Sequence, residues 1–313
     1  MDERMDRENS RDNMLISVVL CTHNHAERLV RTLEDLGRVE APSSPWEILA
    51  IDNASTDATA QLLADTAWRP SGVPVRVVRE ERLGLSNARN CAIREARGRY
   101  LLFFDDDETP VSGWLVAFEK AMLDHDPDAL GGRISVLFEH GERPAWLQDE
   151  LMGFLGNLDH GEDRWLTDPA TPFYGGNFAV RNDVFSRAGN FDADLGRMGE
   201  VNIGGEDTEF YRRLVARNFR VRWVPDAVIN HRIRADKLRR SYFLELHYRQ
   251  GQTEGSRKRG AGKRLPPRYL FGQLARATGK ALRQRFSRGR NHSLRLEMNA
   301  VYFLGYIQGW IAR

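Results

Sequence analysis

The sequence predicts an α/β fold: a mostly parallel sheet flanked by helices, followed by a basic, helical C-terminal extension. Three observations predict it. Apolar, strand-like runs alternate with helix-spaced segments through the N-terminal third, joined by short connections, as βα units require. Polar clusters close three of those runs. From Arg232 the periodicity turns helical and basic, with a net charge of +16 there against −14 in the rest.

The elements follow in order. "MLISVVLCTHN" reads as a buried strand ending near Thr22. "AERLVRTLEDL" then sets Leu29, Leu33 and Leu36 at helical spacing. "WEILAIDNASTD" is a second strand ending at Asp52, and "ATAQLLADTAW" a second helix. "PVRVVRE" is a third strand, "LSNARNCAIREAR" a third helix stopped by Gly98, and "RYLLFF" a fourth strand. That strand runs into Asp105, Asp106, Asp107 and Glu108, and the chain breaks at Pro110.

In open α/β sheets, ligands bind outside the carboxyl ends of the strands. Thr22 to Asn24, Asp52 with Asn53, and Asp105 to Asp107 all occupy such ends, so three polar clusters converge on one edge. Four adjacent carboxylates repel one another unless something offsets their charge. The first βα turn, "CTHNHAER", has no glycine. It is neither a dinucleotide fingerprint nor a P-loop. A divalent cation on Asp105 and Asp107, itself holding a diphosphate, accounts for both facts.

Composition bounds the alternatives. The acidic front excludes nucleic acid as its partner. Cys21 and Cys91 stand at no metal-ligand spacing and suit a reducing compartment. "MDERMDRENSRDN" lacks a signal-peptide core, and no apolar run is long enough to span a bilayer. The expected location is cytoplasmic, with peripheral attachment to the inner face of the membrane as an extension of that reading.

The pieces "SVVLCTHN", "EILAIDNASTD", "GLSNARNCAI", "GRYLLFFDDDE", "GGNFAVRNDVF", "GNFDADLG" and "GGEDTEFYRRLVARNFRVRWVPDAVINH" together resemble family 2 glycosyltransferases with the GT-A fold. The resemblance implies a catalytic domain over residues 15–231. Residues 15–110 would be its nucleotide-binding half and 111–231 its acceptor half. Residues 1–14 are expected to be a disordered tail and 232–313 a basic amphipathic region. It further implies an inverting, metal-dependent enzyme using Mn²⁺ or Mg²⁺ and a nucleotide-diphosphate sugar, UDP favoured, on a glycan or lipid-linked acceptor, as in polysaccharide biosynthesis.

By the same resemblance, Thr22, His23 and Asn24 would border the nucleotide, and Asp52 would accept a hydrogen bond from the base. Asp106 would face the ribose, and Asp105 and Asp107 would hold the metal as an Asp-x-Asp element, with His231 completing that site. Gly175, Gly176 and Asn177 would form a turn under the donor sugar. Arg89 would support the nucleotide pocket; its plainer reading is a helix residue paired with a carboxylate.

Sugar transfer passes through an oxocarbenium-like state and needs a base for the acceptor hydroxyl. Asp207 is expected to be that base and Glu206 an acceptor or sugar contact. Acids opening a helix are also favoured by the macrodipole alone. Residues 139–172 read as an acceptor-side loop or lid, or as an amphipathic helix capping the sheet through Trp146, Leu147, Leu151 and Phe154. Three uses of the basic tail stay open: an anionic membrane surface, packing on the catalytic domain, or a homo-oligomer contact. The rival functions are a sugar-phosphate nucleotidyltransferase, which expects a glycine-rich first loop, and a non-catalytic sugar-nucleotide or membrane-binding protein.

Overall fold

The computed structural model describes residues 14–139, 142–198, 201–259 and 265–312. The tail expected over residues 1–14 lies, Met14 apart, outside them. The chain forms two compact units. The first holds the residues up to Ser135 together with Leu158–His231; the second holds Val136–Asn157 and the chain from Arg232.

The first unit opens with β1 (Ile16–Thr22), α1 (Ala26–Gly37), β2 (Trp46–Asp52), α2 (Thr59–Ala64), β3 (Val75–Arg79), α3 (Leu85–Glu95) and β4 (Tyr100–Asp105). Every residue of β1 and β2 is buried, which explains their near-continuous apolar runs. The chain continues through β5 (Glu108–Pro110), α4 (Trp114–His125) and β6 (Ala129–Phe138). After α5 (Asp149–Met152), a second-unit helix, come β7 (Arg164–Leu166), β8 (Asn177–Arg181) and α6 (Asn182–Ala188). The hairpin β9 (Gly196–Met198) and β10 (Val201–Ile203), α7 (Glu206–Ala216) and β11 (Val221–Ile233) follow.

The main sheet runs β3-β2-β1-β4-β8-β6-β11-β5, with β7 on β11. β1 to β4 are parallel, as the βα alternation requires. β8 then joins β4 antiparallel and β6 joins β8 antiparallel, so the strand sense alternates as the second half is added. The register pairs Thr22 with Asp52 and Cys21 with Asp105, which puts the three polar strand ends on one edge.

Three details differ from the sequence expectation. α2 stops at Ala64, shorter than its apolar spacing suggested. α3 ends at Glu95, before Gly98. That glycine is required instead because a Cβ there would strike the Ser17 amide of β1. Finally, Glu108–Pro110 form a strand on β11, pairing Glu108 with His231. Pro110 is tolerated because β5 ends the sheet.

The second unit contains α8 (Arg240–Lys258), α9 (Arg268–Arg288) and α10 (Arg290–Ile311). α8 and α10 approach backbone to backbone. Side chains at Gly251 and Gly255 would collide with the Tyr302 and Tyr306 carbonyls, and at Gly305 and Gly309 with those of Tyr248 and Gln252. Residues 136–157 group here instead of with the catalytic domain. Leu147, Leu151 and Leu155 recur every fourth residue and bury against Ile233 at the end of β11 and against Phe243, Leu294 and Met298, with Val136 and Phe138 of β6 alongside, so this stretch packs on strand ends and on helices together. No described helix is long and apolar enough to cross a membrane.

His247 of α8 is buried edge-on to Phe154, with no partner for Nδ1 among the described residues. Burial first, and Arg295 second, lower its pKa from 6.5 to about 4. The folded state therefore holds it neutral while the unfolded chain protonates it near pH 6.5. Its contribution is present above that value and lost as pH falls toward 4. We expect His247→Leu to flatten the loss of urea stability between pH 6.5 and 4; an unchanged acid limb would exclude this residue as its source.

Candidate active site

The acidic strand end is built from differently employed carboxylates. Asp106 is drawn back into the first βα turn, accepting from Thr22 Oγ1 at 2.5 Å and meeting His25 Nδ1 at 2.8 Å. Thr32 Oγ1 donates to the Asp106 carbonyl at 2.6 Å, tying this turn to α1. The Asp106 hydrogen bond outweighs burial and raises the His25 pKa above its usual value. His25 was missed from the sequence, where it follows His23 by two residues with no recognisable role.

Glu108 is buried, and its Oε2 accepts the Asp105 amide at 3.0 Å. Burial first, then Asp105 and Asp107, push its carboxyl well above the usual range. Asp107 faces His231, Oδ2 to Nε2 at 3.4 Å, with Arg28 at 3.7 Å. Asp105 turns toward Arg89 at 3.4 Å.

The strand end of β2 is equally occupied. Asp52 accepts from Arg79 at 2.8 Å and from the Ser55 amide at 3.0 Å. Arg79, unrecognised from sequence, is the guanidinium beside the carboxylate expected to meet the base. His23 Nδ1 contacts the Asn53 carbonyl at 2.6 Å. Asn24 adopts φ 51° and accepts from the Thr56 amide at 2.7 Å. Thr22, His23, Asn24 and Asp52 thus come together as one bonded edge.

Arg89 is not placed to touch a nucleotide. It is 1% exposed and donates to Glu206 Oε1 and to the Gly175 carbonyl, both at 2.8 Å. Its guanidinium lies 5.6–5.8 Å from the ring centres of Phe103, Phe178 and Phe191. Burial opposes its charge; Glu206, Asp105 and Asp207 more than restore it, so it stays protonated beyond the ordinary arginine range. The carboxylate-paired reading of this residue is the one the geometry fits.

The same tie corrects Glu206. It is 4% exposed with its carboxylate on Arg89, so it braces the start of α7 and presents no face to an acceptor. Asp207 beside it is more open, accepting from the Gly175 amide at 2.7 Å and the Thr208 amide at 2.6 Å.

The expected sugar turn is also reassigned. Asn177 is fully buried, donating to the Arg133 and Ala227 carbonyls at 2.8 Å and accepting from Trp114 Nε1 at 2.8 Å. Both its amide hydrogens are spent on these carbonyls, and the side chain is a cross-brace between strands, buried away from any donor. Gly176 is glycine because a Cβ would enter the Glu108 carboxylate, and Gly175 because it would press on Arg89.

Among the described residues, no three His, Cys, Asp or Glu side chains stand as a ready metal site. Asp107 and His231 form a two-residue donor set, with Asp105 on the same loop. That suits Mn²⁺ or Mg²⁺, hard ions that take one or two protein ligands and fill the rest from phosphate and water.

A parallel sheet whose carboxyl edge gathers acidic strand ends, extended by antiparallel strands and α7, is that of a GT-A glycosyltransferase. The profile of Glycosyl transferase family 2 matches residues 17–189, and the chain belongs to that family. It is 23% identical over 246 residues to the succinoglycan biosynthesis protein ExoM of Rhizobium meliloti (strain 1021), covering 78% of this chain and 75% of that one. Among solved structures it is similar to mannosyltransferase PcManGT from Pyrobaculum calidifontis in complex with GDP-Man and Mn²⁺. The TM-score is 0.61 at 18% identity, over 95% of this chain and 87% of that one. It is also similar to S. aureus TarS 1–349 in complex with UDP, with a TM-score of 0.55 at 16% identity, over 94% and 90% of the two chains. The protein is thus a glycosyltransferase enzyme.

Proposed function

We propose that the protein transfers a sugar, with inversion, from a nucleoside-diphosphate sugar to a glycan or lipid-linked acceptor, using Mn²⁺ or Mg²⁺. One observation carries the reading. Gly175 offers its amide to Asp207 and its carbonyl to Arg89, which reaches Asp105. The residue read as base and the carboxylate read as diphosphate-side are thereby fixed relative to each other, as an in-line displacement demands.

Asp207 takes the acceptor proton through its carboxylate. Asp107 and His231, with Asp105, would hold the cation, which when bound neutralises charge on the diphosphate oxygens as a Lewis acid. Asp52, kept in place by Arg79 and Ser55, orients the base. Asp106, fixed by Thr22 and His25, orients the ribose. UDP is the favoured nucleotide, although the similar structures contain both UDP and GDP-mannose. ExoM's part in succinoglycan biosynthesis supports a glycan under assembly as the acceptor. The first turn, without glycines, disfavours a nucleotidyltransferase.

Calorimetry with UDP and GDP, with and without Mn²⁺, tests the donor side. Wild-type protein should bind one nucleotide in a metal-dependent way, and Asp107→Ala should weaken that binding by at least about tenfold. Unchanged metal-dependent affinity would remove Asp107 from the site. Release of free sugar from the donor with Mn²⁺ separates an enzyme from a binding protein.

A further inference from the structure

The structure assigns one face of α9 as a docking surface for an anionic lipid bilayer. α9 has two apolar faces where a helix at the edge of a globular unit needs one. Leu270 and Ala281 are buried, and Leu270 packs in a cluster with Tyr306, Ile307 and Trp310 of α10. About a third of the way round the helix from them, Phe271, Ala275, Leu282 and Phe286 recur at helical spacing as a strip facing outward. Phe271 is 51%, Leu282 50% and Phe286 87% exposed. Single exposed apolar residues need no explanation, but an aligned strip of them does.

Charge selects the occupant. α9 carries Arg268, Arg276, Lys280, Arg283, Arg285 and Arg288 and not one acidic residue. Among the described residues only Arg285 of these six reaches a carboxylate, Glu297 at 3.9 Å. α8, in the same unit, shows the contrasting solvated pattern: Arg249 pairs with Glu245, and Arg257 and Lys258 with Glu254. On α9, Arg276 and Arg283 flank the apolar strip on one side and Arg285 on the other, by helical geometry. A basic helix with bulky apolar side chains toward the partner suits the headgroup–acyl boundary of an anionic leaflet. A second copy would bring an equally basic face against it. A nucleic acid would use the charges and leave the strip in water. This surface is separate from the transfer reaction and stands or falls without it.

Flotation of the full chain with phosphatidylcholine vesicles, with and without phosphatidylglycerol, at low and high salt, tests the assignment. The protein should float only with the anionic vesicles, and less at high salt. Arg276→Gln and Arg283→Gln together should lower partitioning by about fivefold per charge, roughly twenty-five-fold in all. Phe271→Ser, Leu282→Ser and Phe286→Ser together should lower it by at least about tenfold. These positions are exposed, so helicity and donor hydrolysis should stay at wild-type levels, which separates lost docking from lost folding. Wild-type protein that stays down with anionic vesicles at low salt overturns the proposal. So does a strip variant that floats like wild type, or a concentration-dependent dimer that the strip variant abolishes without flotation.

Discussion

Asp207→Asn is expected to slow sugar transfer by about 10²- to 10⁴-fold, the usual worth of a general base, with donor affinity unchanged. The side chain is nearly isosteric. Its amide oxygen can still accept the Gly175 N–H that now reaches Asp207 at 2.7 Å, so the start of α7 keeps its place. The change removes proton acceptance and the acceptor of the neighbouring Thr208 amide, neither of which lies on the donor side, so the loss should fall on kcat. Steady-state kinetics at saturating donor, with calorimetry on the same preparation, checks both halves. Transfer near the wild-type rate would sink the assignment. Glu206 would be a poor substitute, since its carboxylate is committed to Arg89.

Arg89→Met should be the most destabilising single change in the first unit. The guanidinium is 1% exposed and pairs with Glu206 at 2.8 Å and Asp105 at 3.4 Å. Removing it leaves a buried carboxylate uncompensated, a loss of about 3–5 kcal/mol. For a chain of this size that corresponds to roughly 10 °C in Tm. Arg89→Met combined with Glu206→Gln should recover part of the loss, because the stranded charge is gone. Thermal denaturation of the two single variants and the double variant closes the cycle. A purely additive result would show that the pair does not couple.

The sequence made the first half of the fold legible for a physical reason. β1 and β2 are buried along their whole length, so their apolar runs are continuous and their polar ends conspicuous. Thr22, Asp52 and Asp105 could be brought together from strand order alone. What stayed hidden is partnership. Arg89 and Glu206 lie 117 positions apart, and no local pattern links them. Asn177 looks like a donor contact until its amide is seen spent on Arg133, Ala227 and Trp114. Arg79 and His25 carry no signature until their carboxylates are found beside them. The apolar spacing of Trp146, Leu147, Leu151 and Phe154 revealed a buried face and suggested the sheet as its cover, but not Phe243, Leu294 and Met298 of the C-terminal helices. Periodicity reports that a helix has a partner and says nothing of which one.

That last cluster bears on how the chain is made. Leu147, Leu151 and Leu155 are covered in part by Leu294 and Met298. At roughly 5–20 residues per second, the ~140 residues between Leu151 and Leu294 take on the order of ten seconds to emerge from the ribosome. Residues 158–231 can complete the sheet in that interval, while the apolar face of 136–157 waits in water. The nascent chain therefore passes through a stage in which its catalytic unit is assembled and its second unit is open. That is the window in which a holdase chaperone would act on it, and in which premature termination before residue 290 would leave a lasting sticky surface.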